Sequence, residues 1–576
     1  MTKFQKLAAA LMTVLFGIAV YVFFAFRYPY HLHFQEQYQL FESTWGYFRG
    51  VAAVPGGLAD WCGRFLTQFC YYAPAGAALL ALLLCAVQLL VWASCRQRTL
   101  AVYALTFIPA FLLLAFHCDE NALEGGAVAL ALSLAAAVLC GRVGPDRPRH
   151  ILEAVLVPLL YMACGPLSVV FSLVSALRET ERCGWTRAWP VPAVLAVLTV
   201  LCPFAASRVF PYPLGRLVSG VHYYRYHNIL PGLLWLSAIF SALVAGLSCI
   251  RARRLSGWVG GAVLFVPVAA AGAFLCFKVA DFAKEEEMRY DFMVRMQMWN
   301  RIMMAADVRN PDTPRTVSCL NLALAKTGRM ADSQFEYAQI GEDGLLPEFA
   351  PDFVSPVSTG EIFWHLGMVN TAQRYAFEAQ EAIPDFQKSA RCYQRLVQTN
   401  IVNGDRDVAR KYLKALSHAC FYRKWARQTE ALLDSGEIFD RQPELARARD
   451  FRLKEHDFLF SESEMDSMLG LLKVENPSNT MALDYLMAWC LLRKDLDRFV
   501  ECISLVEAPQ MPKAYQEALL LRWVLTHTDF DGLPVYLSRE RALRIRSFIQ
   551  DLHSGKPEAD MRRAYGDTYW FYYYYR

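Results

Sequence analysis

The chain has 576 residues, 55% of them hydrophobic and 19% charged, with a mean hydropathy of +0.21. Soluble domains carry about 25% charge, so the composition argues against a single soluble enzyme, a disordered chain or a nucleic-acid binder. Residues 1–280 hold 20 Lys+Arg against 10 Asp+Glu, whereas the remainder hold 38 against 44. A basic, apolar membrane part is therefore expected over 1–280, followed by a soluble part over 281–576.

A helix needs about 20 apolar residues to cross a bilayer. The runs 7–26, 74–94, 99–116, 123–140, 189–206, 229–250 and 257–277 meet that pattern, and 151–177 is long for one span and short for two. Basic residues flank these runs at Lys3/Lys6, Arg96/Arg98, Arg142/Arg147/Arg149 and Arg251/Arg253/Arg254. They all lie on the cytoplasmic side only if 151–177 enters and returns as a hairpin broken at Gly165-Pro166. That reading predicts about nine passes, an internal N-terminus and a soluble part outside, which in a bacterial inner membrane means the periplasm. The first run lacks a small-residue cleavage site before Arg27 and reads as a retained anchor.

Eleven of the 16 cysteines lie before residue 280, mostly in or beside apolar runs, where Cys behaves as a small hydrophobe. No CxxC pair occurs, so neither a zinc ribbon nor a thioredoxin-type motif is expected.

Three loops fall on the outer side. In 27–73, residues 58–69 predict an amphipathic interfacial helix. Leu58, Trp61, Cys62, Phe65, Leu66 and Phe69 share one face, and Asp60, Arg64, Thr67 and Gln68 the other. Ahead of it, Phe41, Trp45 and Phe48 form a second stripe on a helix that Glu36 is expected to begin. The loop 117–126 concentrates Asp119, Glu120 and Glu124. The loop 207–228 supplies Arg208, Arg216, His222, Arg225 and His227 among tyrosines. Acids can act as general bases or metal ligands, and arginines clamp phosphates. No Walker A, HExxH or GxSxG motif is present.

The layout of 1–280 resembles the GT-C glycosyltransferases, membrane enzymes that use polyprenyl-phosphate-linked sugars at the outer face. The resemblance implies that Glu36, soon after the first span, is the catalytic base. It also implies that Asp119 and Glu120, after the third, bind a divalent metal (Mg or Mn). Arg64, Arg208, Arg216, His222 and Arg225 would then hold the donor. Gln35-Glu36-Gln37 stands where that family usually has Asp-Glu, and Asp119-Glu120 is not an Asp-x-Asp.

From about 283 onward the pattern is helical. Polar turns at Thr327-Gly328-Arg329, Asn403-Gly404-Asp405 and Arg493-Lys494-Asp495 divide pairs of helices, which resemble degenerate tetratricopeptide repeats. The fold class expected is thus all-α, a polytopic membrane domain followed by an α-solenoid closed by the aromatic tail Tyr565–Arg576. The whole chain also resembles an uncharacterised family of bacterial multi-pass envelope proteins. Two functions follow as expectations. One is sugar transfer from a lipid-linked donor to a periplasmic protein or glycan acceptor. The other is a non-enzymatic envelope scaffold that binds a partner through its repeats.

Overall fold

Every regular element among the described residues is helical. The computed structural model describes all residues except 145, 222, 228, 250–257, 455–463, 508–509, 528–532 and 535–536. The chain forms two compact units, and the first is discontinuous in sequence: Met1–Glu285 together with Pro384–Ala390 and Ala415–Lys424. The boundary expected at 280/281 therefore moves to 285/286, for a local reason. The Glu285 carboxylate accepts the backbone N–H groups of Tyr30 and His31 at 2.8 and 2.9 Å, which ties this turn to the first loop.

In the first unit, α1 (Lys3–Val22) starts in a capping box between Thr2 and Gln5. It is followed by α2 (Pro29–Gln37), α3 (Trp45–Ala52), α4 (Gly57–Thr67) and α5 (Ala73–Ser94). Next come α6 (Leu100–Leu105), α7 (Phe107–Phe116), α8 (Glu124–Cys140), α9 (Asp146–Cys164) and α10 (Val169–Cys183). The last helices of this part are α11 (Trp185–Ala188), α12 (Pro190–Val209), α13 (Leu214–Ser219), α14 (Gly232–Leu247) and α15 (Trp258–Val279), and α16 (Phe282–Arg295) begins here and continues into the second unit.

The segment 146–183 folds back on itself. Gly165 takes a left-handed φ of +65° between α9 and α10, and Arg149 Nε reaches Glu179 Oε1 at 2.8 Å although thirty residues separate them. His150 and Arg182 contact the same carboxylate at 2.9 and 3.4 Å. Arg96 also bonds Glu181, and Arg178 donates to the Ala93 carbonyl at 3.2 Å. The basic residues flanking several apolar helices thus gather at one end.

The expected count of nine passes does not hold by length and apolarity. Among the described residues four helical segments qualify (Lys3–Arg27, Ala73–Ser94, Asp146–Cys183 and Pro190–Val209), or five with the bent pair Val263–Val279 and Phe282–Arg295. The other apolar helices of this unit, Leu100–Phe116, Glu124–Cys140 and Gly232–Leu247, are 17 residues or fewer. At 1.5 Å per residue they fall short of a core about 30 Å thick. Leu100–Phe116 is further interrupted at Thr106, because Pro109 has no N–H to return to the carbonyl of residue 105. The flanking Arg251, Arg253 and Arg254 lie outside the described residues.

The interfacial helix forms, with a different packing face. The buried residues of α4 are Gly57, Ala59, Gly63 and Thr67, whereas Leu58 and Phe65 remain exposed. Small residues let α4 sit directly on α8: a Cβ on Gly63 would lie 2.3 Å from the Gly125 nitrogen. Of the bulky stripe predicted from the sequence, Leu58 and Phe65 point outward, while Trp61, Cys62, Leu66 and Phe69 are half-buried, Trp61 against Phe41 and Phe48.

The second unit (Glu286–Ile383, Arg391–Lys414 and Trp425–Arg576) is built from paired helices. Examples are Trp299–Val308 with Pro314–Lys326, Ser355–Leu366 with Val369–Ala382, and Met465–Glu475 with Thr480–Leu492. The three polar turns expected to separate helices each contain a left-handed residue: Gly328, Gly404 and Lys494. The pairs differ in length, and four-residue helices at Met330–Ser333 and Ile438–Arg441 interrupt them, so a regular solenoid repeat does not emerge. The aromatic tail packs inside this unit. Thr568 caps its last helix, Trp570 Nε1 donates to the Glu517 carbonyl at 2.7 Å, and Tyr572 Oη donates to the Leu492 carbonyl at 2.7 Å.

Candidate functional site

The three loops singled out in the sequence meet at one end of the first unit. Leu123 N donates to Tyr224 O and Tyr226 N to Asn121 O, each at 3.0 Å, so the second and third loops pair as a short antiparallel bridge. The first loop joins them where Gln35 Nε2 donates to the Ala122 carbonyl at 3.0 Å and Tyr38 Oη to the Glu120 carbonyl. A cavity of about 310 Å³ opens beside this junction.

The chemistry of its wall comes from three places. From α4 come Asp60 and Arg64, one turn apart and paired through Nε to Oδ1 at 2.9 Å. Burial opposes the Arg64 charge, but Asp60 outweighs it and holds the guanidinium above its ordinary pKa. From the third loop come Arg216, Tyr212, Tyr223 and Tyr226. From the later chain, within the same unit, come Asp385, Gln387 and Lys388. Arg216 bonds Asp385 in a fork, at 2.7 and 2.9 Å, and its guanidinium lies over the rings of Tyr212 and Tyr223 at 4.2 and 4.7 Å. Asp385 sits at φ +60°, a conformation that costs a non-glycine residue about 1 kcal/mol, and the fork to Arg216 holds it there.

Two donors in this wall are left over. Arg216 Nε and Tyr223 Oη are buried, and neither finds an acceptor for its proton among the described residues; the Tyr223 oxygen itself faces the Arg216 guanidinium. Burial drives the Tyr223 phenol pKa upward, so the hydroxyl keeps its proton as a donor. Two unsatisfied donors beside a cavity suit an anionic or polyhydroxylated ligand.

The other predicted site residues lie elsewhere. Glu36 does not begin a helix. Pro29 at the first position starts α2 early, which puts Glu36 in its last turn, buried, with Tyr422 Oη donating to its two oxygens at 2.7 and 2.9 Å. It is not part of the cavity wall. Asp119 is taken by Arg225 Nε at 2.5 Å and Glu120 by Lys284 Nζ at 2.5 Å. With each acid facing a cation, and with no group of three or more His, Cys, Asp or Glu side chains able to hold a metal among the described residues, the pair does not fit a divalent ion. Arg208 is exposed in the last turn of α12, and His222 lies outside the described residues. Of the five predicted substrate-binding residues, Arg64 and Arg216 therefore reach the cavity.

Asp60 was legible from its i,i+4 spacing to Arg64 on the polar face of α4. Asp385 was not, since nothing local connects it to a loop 169 positions earlier. Close to the loop junction, the His31 ring is buried beside the His117 backbone, and the His117 ring is buried as well. Burial lowers their pKa values to about 4 and about 3, so both are neutral at pH 7.

No curated protein and no solved structure matches this chain. Residues 3–576 match a family of unknown function (DUF6057), and the chain belongs to that family.

Proposed function

We propose that this protein is an integral membrane glycosyltransferase-like enzyme whose cavity takes the sugar-phosphate head of a polyprenyl-phosphate-linked donor. The observation that carries the reading is the pair of unsatisfied donors, Arg216 Nε and Tyr223 Oη, in a wall that also holds Arg64 and a carboxylate. In the transfer step an acceptor hydroxyl attacks the anomeric carbon and its proton passes to Asp60. The carbon–oxygen bond to the lipid phosphate breaks as the new glycosidic bond forms, and Arg216 and Tyr223 stabilise the charge left on that phosphate. The exposed apolar face of α4 lies in the membrane interface, where the lipid tail of the donor leaves the bilayer. The arginine-rich end faces the cytoplasm of a bacterial inner membrane, the cavity end and the second unit face the periplasm, and the tetratricopeptide-like helix pairs present the acceptor.

Binding of a polyprenyl-phosphate hexose to the full-length protein in detergent tests this reading. Arg216→Ala should weaken binding at least about tenfold, as expected for loss of a charge-assisted contact. Asp60→Asn should keep binding and lose transfer. Equal binding by the parent and Arg216→Ala proteins, or no binding by either, removes the proposal.

One observation favours a scaffold as the second reading. A groove of about 680 Å³ in the second unit is lined by Gln373, Asn400 and Asn403, and the buried Asn403 Oδ1 accepts no hydrogen bond. Side-chain amides of this kind pair with the backbone of an extended peptide.

A further inference from the structure

The turn after α7 and the last turn of α15 place two thiols in contact. Cys118 Sγ lies 3.4 Å from Cys276 Sγ, and both side chains are buried, at 1% and 3% exposure. Around them the backbone is held in place: Tyr28 Oη is shared between the carbonyls of Cys118 and Asp281 at 3.2 and 3.3 Å. Lys284 bonds Glu120 two residues beyond Cys118. A disulfide bond is about 2.05 Å long, so the sulfurs stand within about 1.4 Å of bonding distance.

We infer that Cys118 and Cys276 are joined by a disulfide in the mature protein. The inference rests on the proposed orientation, because disulfides persist on the outer side of the inner membrane and not in the cytoplasm. The bond forms by exchange. The Cys118 thiolate attacks an oxidised dithiol carrier and displaces one of its sulfurs as a thiolate. The Cys276 thiolate then attacks the mixed disulfide, releasing the second carrier sulfur. Two protein thiols lose two protons and two electrons, and the carrier disulfide is reduced to a dithiol. Burial of both sulfurs places the exchange before the unit closes, and afterwards shields the bond from reductants. The bond would close a loop of 158 positions and fix the Asp119–Glu120 turn to the end of α15.

The test is performed on the full-length protein from acid-quenched cells, with free thiols alkylated before digestion without reductant. The expected result is a peptide pair joined at Cys118 and Cys276, about 2 Da lighter than the sum of its free-thiol forms. Alkylation at both positions overturns the inference. A separate arm places a thiol at exposed Trp45 on α3 (Trp45→Cys) and labels it with a membrane-impermeant maleimide in intact cells with a permeabilised outer membrane. Labelling there supports the orientation, and labelling only after lysis overturns both the orientation and the inference. Since neither cysteine lines the cavity, the outcome is independent of whether Arg216 binds a lipid phosphate.

Discussion

The two ends of the first unit use charge in opposite ways. At the arginine-rich end, Glu179 is answered by Arg149, His150 and Arg182, while Arg178 and Arg182 donate to carbonyls at helix ends, so these groups are paired and only the neighbouring Glu153 Oε2 is left over among the described residues. At the cavity end, Arg216 and Tyr223 keep donors that nothing in the described fold accepts, and Asp385 is held in a costly backbone conformation. The first arrangement staples the hairpin of α9 and α10. The second is incomplete without a ligand. A satisfied ion cluster points to stability, and an unsatisfied one beside a cavity points to function.

That contrast can be broken most sharply at the stapled end. Arg149→Met should leave the buried Glu179 short of its main partner and cost about 3 kcal/mol of stability. It should leave lipid-phosphate affinity unchanged, since Arg149 and the cavity lie at opposite ends of α8, about 25 Å apart. A lowered thermal midpoint accompanied by weaker binding would show that the two ends are coupled.

A comparable effect is expected where α4 crosses α8. Gly63→Ala drives a methyl group into the backbone of Gly125 and should cost about 2–3 kcal/mol, read as a lower thermal midpoint in detergent. Gly50→Ala on α3 is the control. Its Cβ meets nothing within 4 Å, and it should be neutral or stabilising by about 0.5 kcal/mol. Equal effects from both would remove the close helix crossing as the device that positions Asp60 and Arg64.

Acid should act through the cavity end. His31 titrates near 6.5 when unfolded but near 4 when folded. Its contribution is therefore complete above pH 6.5 and is lost as pH falls toward 4, because only the unfolded chain takes up the proton in that window. The expected loss by pH 5 is about 2 kcal/mol, and His31→Phe should flatten this part of the profile. A thermal midpoint constant from pH 7.5 to 5 in the parent protein would contradict the burial of a neutral imidazole.

The smallest effect is the most discriminating. Tyr223→Phe deletes a buried hydroxyl whose proton finds no acceptor and whose oxygen faces Arg216, so the stability of the ligand-free protein should change by less than about 1 kcal/mol. The same substitution should weaken ligand binding about fivefold. A larger loss of stability would mean that the hydroxyl is already satisfied and that the cavity end is no different from the other.

Much of this was legible in the sequence. Loop charges identified Arg64 and Arg216, and the requirement that basic flanks share one side pointed to the hairpin at Gly165. What failed has physical causes. Apolar run length overstated the spans, because runs such as 229–250 contain residues that do not enter the helix, and α14 covers only Gly232–Leu247. Glu36 was misplaced because Pro29 sets the helix start. Its true partner, Tyr422, is 386 positions away, beyond the reach of any periodicity.

The discontinuity of the first unit has a consequence for biogenesis. All its apolar helices are synthesised by residue 279, yet the wall of the cavity waits for Asp385, and the partner of Glu36 waits for Tyr422. For more than one hundred residues of further translation, the apolar helices carry a half-built pocket in which Arg216 lacks Asp385 and Glu36 lacks Tyr422. A fragment ending near residue 300 would hold all the described apolar helices of the first unit and never progress beyond that stage.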